Sequence, residues 1–496
     1  MPDLAKTMTA GRALRGAALG LPICVGMFAA PPASADDDLV GLKREMEQMR
    51  QQYDDQLKRI QQQYETRLQQ MEKRVEAAEK QAASASAKAV TAQQTAASAQ
   101  LQAASAKQSV ETAQQTPAAA PEGAAASAAA FNPAIGAVIN GTAMAANHNP
   151  DNWRVPGVPL GSDAKPPPRG LGLGESEINL QANADQVVFA NLTLAFERDN
   201  TVGVEEGFIQ PTALPYGFTV KAGRFFSGIG YLNEQHSHVW DFVDQPLPYM
   251  AFLNTQYDDE GAQVRWLAPT NMFLEFGGEL LRGDAFPAGG TNNQNAGLGA
   301  WSAFVHVGDD IGDSASYSVG LSQLWTAAKN RTSTDATGGT DSFSGTDHTY
   351  ILDGVYKWAP NGNFAQTYVK LQSELFLRQE QGRFVPAGGP SAGLHFSSGP
   401  QTGFYVQGVY QFIPQWRVGL RYDQVHAPFL GSAFAGTTLD NLGATSRRYS
   451  AMLDYSPSEF SRFRVQYNMD YARPQSDNEF ILQYIVSIGA HGAHQY

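Results

Sequence analysis

The sequence predicts an all-β transmembrane barrel of about sixteen antiparallel strands, preceded by a long α-helical coiled coil. Three observations carry this. Segment after segment in the last two thirds alternates apolar and ionic residues with a period of two. The joints between those segments alternate between short and long. The final stretch, Asn478 to Tyr496, sets Phe480, Leu482, Tyr484, Val486 and Ile488 on one strand face and stops on an aromatic residue.

Composition agrees with a barrel. The 496 residues include 48 Gly, 19 Tyr and 26 Phe, and only 17% are charged. No run of about eighteen apolar residues lies beyond residue 35, so no helix is expected to cross a membrane. A barrel needs none, because alternate side chains meet lipid and water.

Residues 1–35 read as a secretory signal. Lys6, Arg12 and Arg15 precede the apolar stretch Ala17 to Ala30, and Ala33-Ser34-Ala35 is a small-residue cleavage site. The one cysteine, Cys24, lies inside that segment, so no disulfide or thiol chemistry is expected of the mature chain. Removing residues 1–35, with three basic residues and one acidic, takes the formal net charge from -13 to -15. That sign opposes nucleic-acid binding.

Residues 36–116 read as a rod. Leu39, Leu42, Met46, Met49, Tyr53, Leu57, Ile60, Tyr64, Leu68, Met71 and Val75 recur every three or four residues, and alanines continue the seam to Ala113. This is coiled-coil spacing, which implies an oligomer. At about 1.5 Å per residue the rod would reach roughly 110 Å. An alanine seam buries little area, so the alternative for residues 81–116 is a disordered Ala/Ser/Gln linker. Residues 117–130 are Ala/Pro linker, and residues 131–496 are the barrel.

Strands are expected near 136–146, 171–184, 186–197, 202–212, 217–224, 257–267, 272–283, 296–308, 315–327, 347–358, 364–379, 401–413, 415–427, 446–456, 461–473 and 478–489. One set of joints is short. The other holds the long connections 147–170, 225–256, 284–295, 328–346, 380–400 and 429–445. An even strand count puts both barrel ends on the short-turn side, which is periplasmic in outer-membrane barrels.

The stretch Lys221-Ala222-Gly223-Arg224-Phe225 followed by Gly228-Ile229-Gly230 is a strand running into a glycine-rich turn. With the rod ahead of it, the chain resembles bacterial porins that carry a periplasmic coiled coil before a sixteen-stranded trimeric barrel, as in sugar-specific porins. The barrel itself is similar to the phosphate-selective porin-like group. The resemblance implies an outer-membrane channel for passive diffusion of small hydrophilic solutes or ions. It also implies a trimer, contact with outer-membrane lipid, and a stalk reaching toward peptidoglycan. A lysine-rich constriction is missing, since Lys221 is the only lysine between Pro166 and Ala327, so phosphate selectivity is not expected.

In porins the third long loop folds into the lumen. Here that loop carries Glu234, His236, His238, Asp241 and Asp244. Facing walls offer Lys370, Arg378, Arg417, Arg421, Arg462 and Arg464, and Glu275 and Glu279 add negative charge. An acidic loop opposite a basic wall would set a transverse field and hence ion preference. His236 and His238, with Glu234 nearby, are the residues that could ligate zinc. Two histidines on a loop fall short of a metal motif, as do His491 and His494, and no metal or cofactor is expected. Catalytic motifs such as G-x-S-x-G or H-E-x-x-H are absent, so no enzyme is expected. Other readings left open are an envelope-tethering barrel that conducts little and a metal-linked uptake channel.

Overall fold

The computed structural model describes residue 47 and residues 133–197, 201–289, 297–389, 392–473 and 475–489. The expected signal segment, the expected coiled coil apart from residue 47, the expected linker, and His491 and His494 lie outside the described residues.

The described chain forms one antiparallel sheet that closes on itself. In order, its strands are β1 (Ala134–Ala146), β2 (Gly170–Leu173), β3 (Ser176–Asn183), β4 (Val188–Phe196), β5 (Val202–Pro211), β6 (Phe218–Phe226), β7 (Asp258–Leu267), β8 (Phe273–Leu281) and β9 (Ala300–Ile311). They continue as β10 (Ala315–Thr334), β11 (Thr340–Trp358), β12 (Tyr368–Val385), β13 (Leu394–Ser397), β14 (Gln401–Ile413), β15 (Trp416–His426), β16 (Ser446–Ser458), β17 (Ser461–Asp470) and β18 (Asp477–Gly489). β2 and β3 pair end to end along β1, and β13 and β14 along β12, so eighteen segments occupy sixteen positions. The seam runs from Gly136 opposite Gly489 to Ala146 opposite Glu479. A closed ladder leaves no edge for hydrocarbon to desolvate.

Register lines up the two faces. Outward, Val418 sits opposite Leu453, Leu453 opposite Val465, Val465 opposite Leu482, and Leu482 opposite Ala143. Leu420 is 69% exposed and Leu482 45%, within a belt of exposed Leu, Val, Tyr and Phe. Such a continuous apolar surface suits lipid rather than water. Inward, Arg417 faces Asp454, Asp454 faces Arg464, and Arg464 faces Gln483. Asp423 faces Arg448, and Arg448 faces Asp470. Opposite charges directly across a ladder stabilise the pairing.

The sixteen expected strands are all present, and their boundaries shift, most widely at the long connections. Residues 328–346, expected as a loop, are mostly strand, because β10 and β11 extend as a hairpin past a bulge between Ala328 and Arg331. Residues 380–400 likewise hold the end of β12 and all of β13. A cluster of Ala328, Phe343, Phe384, Phe434 and Leu439 supports these extensions, so apolar packing between loops drives them. Residues 364–367, expected to open a strand, precede β12.

The lumen is also less polar than its alternation suggests. Phe304, Leu324, Ile351, Phe376 and Tyr405 point inward and pack with buried residues of two loops, 147–169 and 227–257. Trp153, Val155, Val158 and Ala164 come from the first loop.

Replacing Leu482 with Arg should cost about 2–4 kcal/mol of folding stability in lipid vesicles, read by urea titration. No loss would move this face out of the hydrocarbon.

Candidate functional site

The loop 227–257 leaves β6 and turns into the barrel because its first groups find partners there. Ser227 Oγ donates to Glu279 Oε2 at 2.5 Å, and the Gly228 amide donates to Glu279 Oε1 at 2.9 Å. Gly230 has φ +65°, and a Cβ there would meet Glu374 Oε2 at 2.5 Å and the Tyr249 hydroxyl at 2.6 Å. Only glycine fits that turn without displacing its neighbours. The amides of Tyr231 and Leu232 both donate to Glu374 at 3.2 Å. Asn233 staples the neck, donating to the carbonyls of Ser227 and Tyr257 at 2.8 Å each and accepting from the Tyr257 amide at 2.7 Å.

A short helix, α1 (Leu247–Leu253), follows with every residue buried. Pro248 near its start and left-handed Asn254 (φ 55°) at its end bound it. Asn254 Oδ1 then accepts from the amides of Asp163 and Ala164 at 2.8 and 3.1 Å, latching the two loops together.

Between neck and helix lie the expected charges. Asp241 meets Lys370 Nζ and Arg417 Nη1, each at 3.0 Å. Asp244 meets Arg421 Nη2 at 2.9 Å and Arg448 Nη1 at 2.7 Å, and accepts from Gln466 at 2.7 Å. Glu234 pairs with Arg265. Burial alone would raise these carboxyls, but the paired cations overrule it and hold all three below the usual range. The main-chain oxygens of His238 and Trp240 accept from Arg462 and Arg464 at 3.2 and 2.7 Å.

Of the expected residues, Asp241, Asp244, Lys370 and Arg421 come together as an acidic loop on a basic wall. They are in direct ion pairs rather than facing each other across water. Glu279 anchors the start of the loop. Glu275 pairs with Arg265 at 3.4 Å. Arg378 meets none of the loop carboxylates, pairing with Asp347 and, at 2.7 Å, with Glu380. It stacks over the Phe252 ring of α1.

His236 and His238 join a different group. His236 Nδ1 lies 3.2 Å from Glu205 Oε2 and 3.4 Å from Glu177 Oε2, and its Nε2 lies 3.4 Å from Glu206 Oε2. His238 Nδ1 lies 3.0 Å from Glu177 Oε1. Burial would lower the His236 pKa, but Glu205 and then Glu177 raise it well above the ordinary value. Glu234, expected beside these histidines, instead serves Arg265.

Sequence reasoning missed Glu177, Glu205, Glu206, Arg265, Glu374 and Arg448. The adjacent pair Glu205-Glu206 in an otherwise apolar strand was a usable signal.

The loop therefore touches walls on several sides. Inward side chains of β16 and β18 from Arg448, Asp454, Glu479 and Gln483 are buried beneath it. On the other side Asn179, Asn191, Phe208, Lys221, Arg265 and Glu275 keep part of their surface exposed.

No family model matches the chain. An uncharacterized protein of Aquifex aeolicus (strain VF5) is 32% identical over 349 residues, covering 66% of this chain and 70% of that protein. The chain belongs to the family of that Aquifex protein. Among solved structures, OprB of Pseudomonas putida at high pH is 12% identical, with 72% of this chain and 94% of that chain covered and a TM-score of 0.45. The outer membrane channel DcaP of Acinetobacter baumannii is 11% identical over 71% and 96%, with a TM-score of 0.45. An anion-selective porin from Comamonas acidovorans is 12% identical over 72% and 99%, with a TM-score of 0.42.

Asp244→Asn removes the charge between two buried arginines and should cost about 3 kcal/mol, read by urea titration. Equal stability would mean that the pairs do not hold the loop.

The pH dependence has two edges. Lowered carboxyls stabilise docking above their unfolded value of about 3.9 and lose that contribution as pH falls through the folded value. Raised His236 contributes fully below about 6.5 and loses its contribution as pH rises through its higher folded value. Amide exchange of residues 233–246, corrected for intrinsic rate, should show full protection from about pH 4 to 6.5 and loosening below about pH 3. Loosening between about pH 4 and 6.5 would contradict these pairings.

Proposed function

We propose that the chain is a bacterial outer-membrane porin through which small hydrophilic solutes or ions diffuse passively. The observation that carries this reading is a closed barrel whose lumen is crossed by a pinned loop, with a partly exposed polar strip left along the opposite wall. Asn179, Asn191, Lys221 and Glu275 lie on that strip. Both chain ends of the barrel emerge on the short-turn side, and a membrane barrel of this kind keeps that side in the periplasm. The coiled-coil seam of residues 36–116 then belongs in the periplasm, reaching toward peptidoglycan. The seam supports a homo-oligomer, and a trimer is the form proposed.

Charge at the loop sets the ion preference in this reading. Asp241 and Asp244 share in compensating Lys370, Arg417, Arg421 and Arg448, so their loss makes that wall more positive, although Asp454, Asp423 and Asp470 still pair with its arginines. Such a wall favours anions.

The test is single-channel recording in planar bilayers. The purified chain should give discrete conductance steps. The triple change Glu234→Gln, Asp241→Asn and Asp244→Asn should move the reversal potential across a salt gradient toward anions. A folded barrel that gives no steps would overturn the porin reading in favour of a tethering barrel. Steps with an unchanged reversal potential would remove the loop from the selectivity account.

A further inference from the structure

We propose that Glu177, Glu205 and His236 form a binding site for a divalent transition-metal cation on the lumen wall, with Glu206 and His238 positioning the ligands. The proposal goes beyond the porin reading and does not depend on it.

Ligand atoms of Glu177, Glu205 and His236 all lie within 4.8 Å of one another. The separations are informative. His236 Nδ1 stands 3.2 and 3.4 Å from the two carboxylate oxygens. Charge-assisted hydrogen bonds are shorter, about 2.7–2.9 Å. Tetrahedral coordination with bonds of about 2.0–2.1 Å puts ligand atoms about 3.3–3.4 Å apart. Two of the three separations thus already stand at the spacing of corners of such a site, and the two carboxylate oxygens lie within 4.8 Å of each other. The fourth corner would be water or solute.

The surroundings match what metal ligands require. A ligating histidine commonly gives its other ring N–H to a carboxylate, which fixes the ring. Here Glu206 Oε2 stands 3.4 Å from His236 Nε2. Glu177 has its second oxygen on His238 Nδ1 at 3.0 Å. The Phe226 ring meets the His236 ring edge-on at 5.4 Å, and His238 stacks on it at 5.7 Å.

The local backbone is built for this. Register shifts between Thr193 and Leu194, where Thr193 pairs with Glu206 and Leu194 with Val204. Glu205 is the extra residue of that bulge, and it lets two consecutive carboxylates reach one imidazole. Bulges are frequent where a strand must re-aim a side chain. Charge gives the reason for a cation. The ion pairs of Glu177, Glu205 and Glu206 run to His236 and His238, three carboxylates against two imidazoles. A divalent ion replaces the ring proton and balances the excess. The site is reachable, since the His236 side chain is 17% exposed.

Bound metal would tie the loop to β3 and β5, opposite the basic wall that holds Asp241 and Asp244.

The test uses the full-length protein in detergent, stripped with a chelator and titrated calorimetrically with Zn2+ alone. About one zinc should bind per chain. His236→Ala and Glu205→Gln should each weaken binding at least tenfold. Glu206→Gln should weaken it about tenfold to a hundredfold at unchanged stoichiometry. His491→Ala with His494→Ala should change nothing. Heat-modifiable gel mobility checks that each variant folds. X-ray absorption of the zinc-loaded wild type should report histidine and carboxylate ligands at about 2.0–2.1 Å, and this needs no variant. Absence of zinc binding, identical isotherms for wild type and His236→Ala, or an absorption spectrum without histidine would each overturn the site. Conductance of the metal-free protein is read separately, so loss of this site leaves the porin reading standing.

Discussion

Everything in this molecule follows from putting one polypeptide between two solvents. Hydrocarbon offers no hydrogen bonds, so each strand must give its N–H and C=O groups to neighbours, and the sheet must close. Closure at β1 and β18 meets that demand. Once closed, the period of a strand divides its side chains between lipid and lumen. Leu420 and Leu482 belong to the first solvent, and Arg448 and Arg464 to the second.

The lumen then poses its own problem. Its wall carries arginines that are costly to bury unpaired. Cross-strand aspartates answer part of the demand, with Asp454 between Arg417 and Arg464. The loop answers the rest, since Asp241 and Asp244 each meet two cations. Apolar contact does equal service. α1 is buried against Phe376, Tyr405 and their neighbours, so the loop is held by a small core as well as by charge. A loop tied at both its acidic and its histidine-bearing ends has little freedom to leave the lumen.

Strand number and order were legible in the sequence because alternation is a local signal, repeated at every strand. The extensions at 328–346 and 380–400 were not, because Phe343, Phe384 and Phe434 meet only in three dimensions. The loop charges were legible as types, Asp241 and Asp244 against Lys370 and Arg421. Their pairing was not, since strand register decides which wall residue lies within reach. Arg378 shows the limit, a lumen arginine taken by Asp347 and Glu380. The histidines were visible, but their carboxylates were not. Glu177 lies 59 positions before His236 in the chain, and only the β5 bulge turns Glu205 and Glu206 toward one ring. The inward apolar residues Phe304, Ile351 and Phe376 were hidden by the expectation of a wet lumen, because an internal core needs loops whose course the sequence does not state.

The division of side chains between two solvents is best measured along β3, one residue at a time. Spin labels at positions 178 to 182 would report collision with oxygen, which concentrates in lipid, and with a water-soluble nickel chelate. Oxygen should dominate at 178, 180 and 182, and the chelate at 179 and 181. Accessibility that fails to alternate, or that favours the chelate at all five positions, would contradict a barrel wall with lipid on one side and water on the other.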